Sequence, residues 1–175
     1  RDYLPICYEK NVRDFIISQL TDDCEYTVDP MGNLIVDKKG EISPENKVAL
    51  FAHMDEVGFI VTYIHENGFV NVANVGGIDN SALFGKKITV NGHIGVVGGK
   101  AIHQCAGDEA KKIPDISDMY VDFGFENREI AEKYLTLGDC GYFKSDYIEF
   151  GNEIIKSKAL DDRLGCAIMI ELLQK

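Results

Sequence analysis

These 175 residues contain no charged-then-apolar leader and no long apolar run. Neither a signal peptide nor a membrane-spanning helix is therefore expected, since a span takes about 20 consecutive apolar residues. Basic residues are also scarce: 18 Lys and Arg stand against 29 Asp and Glu, for a net charge of −11. Nucleic acids and anionic membranes demand clustered positive charge, so neither is expected as a partner. An acidic surface suits a protein that concentrates divalent cations, and suits many ordinary cytosolic proteins equally. The five cysteines, at 7, 24, 105, 140 and 166, are odd in number and form no C-x-x-C pair. This argues against a disulfide framework or a cysteine zinc knuckle and for a reducing, cytoplasmic compartment. Internal repeats and low-complexity stretches are absent as well.

What is there reads as a globular chain, 45% hydrophobic and 27% charged, long enough to bury a core in one domain or one domain with an insertion. It begins at Arg1 and stops at Leu172-Leu173-Gln174-Lys175 inside a helical pattern, so both ends are expected to have been cut.

The chain is organised around Val48-Ala49-Leu50-Phe51-Ala52-His53-Met54-Asp55-Glu56-Val57-Gly58. The apolar run predicts a strand buried on both faces, with active groups at its C-terminal end, where open α/β sheets bind ligands. Side chains repeat every second residue along a strand, so His53 and Asp55 are expected on one side. Asp55 is then placed to hold one ring nitrogen of His53 while the other faces a metal. Alone, the triplet is equally an ordinary histidine at a strand end.

Before this run, Val12, Phe15, Ile16 and Leu20 fall at helical spacing and predict an amphipathic helix over 8–20, packed on the sheet. Tyr26 and Val28 alternate into the turn Asp29-Pro30-Met31-Gly32-Asn33, and Leu34-Ile35-Val36 resume, which predicts a hairpin. After Gly58 short strands follow at close spacing: 59–64, 69–75, 87–90 and 93–97 around an Asn91-Gly92 turn, 120–123, and closing strands at 142–143 and 147–150, with a short helix at 128–134. This pattern predicts a small β-barrel or sandwich. The fold class is therefore α/β, an α/β sandwich domain at 1–57 and 152–175 with an inserted β-rich domain at 58–151.

From Ile154 the α/β texture returns and reaches Lys158-Ala159-Leu160-Asp161-Asp162-Arg163-Leu164-Gly165. Residues 166–173 behind it are apolar nearly all round, as a buried helix is. The aspartates lie where a helix N-terminus favours negative charge, so an N-cap with an ion pair from Arg163 is the plain reading of that triplet. His65 and His93 fall at turns or strand edges and read as surface histidines; His103 is left unassigned. Glu56 borders the site, with a supporting or a purely structural role.

The stretches Ala52-His53-Met54-Asp55-Glu56-Val57-Gly58-Phe59 and Lys158 to Gly165, separated by a β-rich insert, resemble the tetrahedral, or TET-type, metallo-aminopeptidases, some of whose members have been labelled endoglucanases. The resemblance extends to Gly32-Asn33-Leu34, to Asn74-Val75-Gly76-Gly77-Ile78-Asp79, and to Lys112-Ile113-Pro114 with residues 118–124. It implies a partial aminopeptidase-type α/β domain carrying an inserted dimerisation domain, assembled from dimer up to dodecamer. It further implies a two-metal exopeptidase acting on short peptides. By position His53 would bind one metal, Asp161 would bridge two divalent ions, zinc or cobalt, and Asp55 would serve catalysis by orienting His53. A cis peptide after the bridging aspartate would leave Asp162 and Arg163 in supporting roles. The ions would lower the pKa of a shared water for attack on the first peptide carbonyl.

In the family the general base and the remaining ligands follow the bridging aspartate, beyond the last residue here, and about three protein ligands per metal are needed. The polypeptide as given is expected to be inactive alone. Leu4-Pro5-Ile6-Cys7-Tyr8-Glu9 also stands where relatives have a Gly-Ser-Gly type turn. Two other functions stay open: a non-catalytic assembly or binding module acting through 58–151, and a glycosidase using Asp55 or Glu56 with Asp161 or Asp162.

Overall fold

Alternating apolar residues in short strands can bury one face only by closing on themselves or on a neighbour. In a computed structural model, which describes residues 9–42, 45–46, 48–100 and 112–175, the middle of the chain does the former. The chain divides into two compact units, residues 57–158 and residues 1–56 with 159–175.

In the first of these, β3 (Gly58–Ile64), β4 (Val70–Val75), β5 (Lys87–Val90), β6 (His93–Gly99), β7 (Met119–Asp122) and β8 (Cys140–Phe143) form a closed barrel in the order β3-β4-β7-β6-β5-β8, every pair antiparallel. Closure removes the unpaired edges that make open sheets sticky. Phe59 and Val61 of β3, Val70 and Val72 of β4, Ile88 and Val90 of β5, and Val97, Met119 and Val121 point inward in one core with Leu83, Ala131 and Leu135. The alternation slips once, where a register shift between Val61 and Tyr63 turns Ile64 inward and leaves Tyr63 outside. Asn91 and Gly92 both have positive φ, 48° and 82°, and join β5 to β6 with Val90 paired to His93, the tight hairpin that Asn-Gly predicts. A short helix, α2 (Arg128–Ala131), is capped by the Asn127 side chain, which accepts from Ile130 N at 3.0 Å.

Two strand expectations change in this unit. β8 is the strand that closes the barrel, between β3 and β5, whereas β9 (Ile148–Phe150) pairs only with β10 (Ile154–Lys156) in a separate exposed hairpin. Cys140 is disulfide-bonded, so the reading of unbridged cysteines is corrected there, while Cys24 and Cys166 are free.

The other unit holds α1 (Lys10–Ser18), the hairpin of β1 (Cys24–Val28) and β2 (Leu34–Lys38), and α3 (Leu160–Leu173). The hairpin turn is organised by Asp29, whose carboxylate accepts from Met31 N at 2.9 Å, Asn33 N at 2.9 Å and Asn33 Nδ2 at 2.8 Å. Lys38 Nζ donates to the Leu173 carbonyl at 2.5 Å and Gln174 Nε2 to the Gln19 carbonyl at 3.0 Å, tying the end of α3 to β2 and to the end of α1.

Three expectations fail here. The run Val48-Ala49-Leu50-Phe51-Ala52 lies outside any strand, with Val48 86% and Phe51 91% exposed. A segment becomes a strand only when a neighbour takes its backbone hydrogen bonds, and among the described residues none does. For the same want of a covering layer, α3 buries only Cys166 and exposes Leu164, Ile168 and Leu172, and α1 buries no residue at all.

Candidate metal centre

The segment carrying His53 and the start of α3 are 108 residues apart in sequence and meet in one unit. His53 Nε2 lies 3.1 Å from Asp161 Oδ1, and His53 Nδ1 lies 2.8 Å from Asp55 Oδ1. The imidazole therefore bridges two carboxylates. Asp161 is otherwise open, its side chain 95% exposed, which leaves its second oxygen accessible. Desolvation works against a charged ring, but the Asp55 and Asp161 carboxylates outweigh it and hold His53 above the ordinary histidine range. A proton on either ring nitrogen meets a carboxylate oxygen that accepts it.

The backbone around Asp161 explains why its side chain is free. α3 is interrupted at its start: Asp161 (φ −90°, ψ 108°) and Asp162 (φ −124°, ψ 32°) are non-helical, and the peptide bond between them is cis. The regular helix begins after Asp162, whose Oδ1 accepts from Gly165 N at 3.2 Å, the geometry of an N-cap. The two aspartates thus divide the work, Asp162 closing the helix end and Asp161 facing His53. Arg163 does not pair with either. Its Nε donates to the Met54 carbonyl at 3.0 Å and its Nη2 lies 3.5 Å from Glu56 Oε1. One turn further along α3, Cys166 Sγ lies 3.5 Å from the His53 carbonyl oxygen.

These contacts are what sequence reading missed. Glu56 is only 9% exposed, and a buried carboxylate requires a partner, so an arginine one helix away was the signal to follow. His65 and His93 are less superficial than expected: His65 Nε2 hydrogen-bonds the Asn71 side chain, and the His93 ring packs 5.8 Å from Phe125 and 4.7 Å from Tyr134. Both belong to the barrel unit. His103 lies outside the described residues.

Donor chemistry fits a divalent cation. Two atoms bound to one tetrahedral ion at about 2.0–2.2 Å stand about 3.3 Å apart, close to the observed Nε2–Oδ1 spacing. The second ring nitrogen is held by a carboxylate, as ligating histidines usually require. Among the described residues no group of three or more His, Cys, Asp or Glu side chains could hold a metal ion by itself.

A closed barrel inserted in sequence between a histidine–aspartate segment and a helix-opening aspartate pair is not an anonymous arrangement. Residues 32–175 match the M42 glutamyl aminopeptidase family, and the chain belongs to it. The glutamyl aminopeptidase of Lactococcus lactis is 32% identical over 176 residues, which take in 95% of this chain and 50% of that protein. Among solved structures, an endoglucanase from Thermotoga maritima superposes with a TM-score of 0.80 at 38% identity, covering 98% of this chain and 51% of that one. The TET1 peptidase of Pyrococcus horikoshii, which can assemble into a tetrahedron or a large octahedral shell, gives 0.82 at 29% identity over 100% of this chain and 53% of its own. The chain spans about half the length of the curated relatives it matches.

Proposed function

We propose that the protein to which these residues belong is a metal-dependent aminopeptidase that removes N-terminal residues from short peptides. His53 would hold a divalent ion, zinc or cobalt, Asp161 would help hold a pair of such ions, and Asp55 would fix the ring of His53. The observation that carries this reading is the approach of His53 Nε2 to Asp161 Oδ1 at 3.1 Å with Nδ1 held by Asp55 at 2.8 Å. Ions held there supply a nucleophilic water at neutral pH and polarise the scissile carbonyl.

The residues present contribute orientation and charge. Asp55 keeps a proton on Nδ1 of His53 and so presents the Nε2 lone pair. Asp161 offers one oxygen toward His53 and leaves the other for a second cation. Asp162, committed to the helix N-terminus, takes no part in binding. The general base and further ligands would come from parts of the protein that these residues, about half the length of the curated relatives they match, do not span.

The barrel unit serves self-association, a reading supported by the likeness to a TET peptidase that forms shells. A cytoplasmic setting is supported by the acidic composition alone, since Cys140 is disulfide-bonded. No helix among the described residues is long and apolar enough to cross a membrane.

The test is hydrolysis of aminoacyl-p-nitroanilides by the full-length protein, before and after chelation. Activity should vanish with chelator and return with added zinc or cobalt, and His53→Ala and Asp161→Asn should abolish it. Peptidase activity that survives chelation sinks the proposal. Chelator-resistant cleavage of a β-glucan would instead favour the carboxylate-pair glycosidase.

A further inference from the structure

The segment 48–57 has no strand partner among the described residues, yet it carries His53 to within 3.1 Å of Asp161. Something other than a β-ladder must set its position. Arg163 and Cys166, on one face of α3, make contacts that can do so. Arg163 reaches the Met54 carbonyl with Nε at 3.0 Å and the Glu56 carboxylate with Nη2 at 3.5 Å. Cys166, three residues on and therefore on the same face, brings its thiol to 3.5 Å from the His53 carbonyl. His53, Met54 and Glu56 are thus gripped from the helix that directly follows Asp161 and Asp162.

We propose that Arg163, assisted by Cys166, is the positioning residue that sets the His53–Asp161 spacing and hence the affinity of the first metal. This rests on the metal-site reading above and goes beyond it, since neither residue touches the ion. The fork geometry is essential. A guanidinium presents two N–H groups in a fixed plane, and here one meets a backbone carbonyl and the other a carboxylate two residues later. A lysine ammonium keeps the charge near Glu56 but has no rigid second donor for Met54. Glu56, 9% exposed, anchors the guanidinium from the inner side. Asp161 is bound to the same helix through the backbone, so a shift of residues 53–56 relative to α3 changes the Nε2–Oδ1 distance directly.

The experiment measures zinc affinity of the full-length protein by chelator competition, for wild type, Arg163→Lys, Glu56→Gln, Cys166→Ala and His53→Ala, with a thermal melt of each metal-free variant. Loss of an outer partner of a ligand typically weakens metal binding about 10–100-fold. Arg163→Lys is expected in that range at a temperature where the protein is fully folded. Glu56→Gln keeps an acceptor for the guanidinium and should stay within about threefold of wild type, and Cys166→Ala should weaken binding a fewfold. Wild-type affinity in Arg163→Lys overturns the proposal. If that variant does not fold, Cys166→Ala decides: unchanged affinity overturns, weakened affinity supports. His53→Ala keeps the two ideas apart, because affinity unchanged in it discards the metal site itself, whereas affinity lost in it and unchanged in Arg163→Lys discards only the positioning role.

Discussion

The barrel unit and the unit that bears His53 and Asp161 treat their apolar residues in opposite ways. In the barrel, Phe59 is fully buried and shares its core with residues from five of the six strands and the helical segments beside them, with Phe143 of β8 packed against it. In the other unit Phe51, of the same residue type and eight positions earlier, is 91% exposed, and Cys166 and Glu56 are the described residues that reach the buried class. Closed hydrogen bonding makes the difference. A barrel satisfies its own edges, while an apolar segment and a helix without a covering sheet cannot bury a face, however hydrophobic their sequence. Among the described residues, then, the site is held by side-chain contacts and not by a core.

The sharpest way to break this contrast is truncation of the two phenylalanines. Phe59→Ala should cost about 3–5 kcal/mol in urea melts, as loss of a packed aromatic does, whereas Phe51→Ala should stay within about 0.5 kcal/mol. Equal losses would mean that Phe51 is covered in solution. A pair of glycines makes a gentler comparison. Gly68 sits at φ +84°, and an added Cβ would fall against the carbonyl oxygen of Phe125, so Gly68→Ala should destabilise by about 1–3 kcal/mol. Gly40, with only an ordinary contact to the Ile42 carbonyl at 3.7 Å, should tolerate alanine with little change in the same melts.

A smaller effect separates the units by pH. Hydrogen bonds from the Asn33 side chain and from the Asn33 and Met31 amides hold the Asp29 carboxyl below the usual carboxylate value. Because the folded pKa is the lower one, the contribution is complete above the unfolded value of about 3.9 and fades as pH falls through the folded value. Hydrogen exchange of the Met31 and Asn33 amides should accelerate, relative to barrel amides, as pH drops through that window. Asp29→Ala should remove the difference. Barrel and hairpin amides that respond alike would merge the two units in stability.

Least in magnitude is thiol reactivity. Burial, with the nearby Asp162 carboxylate, pushes the Cys166 thiol up, so it should react with a maleimide more slowly than the less buried Cys24. Faster labelling of Cys166 would show that α3 opens readily.

Local signals carried most of the barrel and the β1–β2 hairpin. Asn91-Gly92, the Asp29 to Asn33 turn and the period-two runs at β3 to β7 each contain their own instruction, and they stand where the pattern puts them. The register shift between Val61 and Tyr63 was not legible, because nothing in Ile60-Val61-Thr62-Tyr63 distinguishes a slipped residue from a regular one. Val48 to Ala52 misled for another reason: hydrophobicity reports that a segment is to be covered, not whether its cover lies in the residues at hand. At the site, the H-x-D spacing led to the Asp55 contact with His53, and the family resemblance paired His53 with Asp161. Arg163 was read as a partner for its neighbours Asp161 and Asp162, but helix geometry turned it toward Glu56 and Met54, a non-local choice that sequence proximity hid.

His53 and Asp161 lie 108 positions apart, and as a free loop that stretch would carry a cost in chain entropy that the barrel lowers. Closing a disordered loop grows more costly with the logarithm of its length, by about 0.6 kcal/mol per doubling. Once residues 57–158 have closed their own sheet, the two strangers in sequence are joined through a folded body with fixed ends, not through a hundred free links. The barrel then acts on the site without contributing any atom to it, as a tether already paid out and drawn short before His53 and Asp161 search for each other.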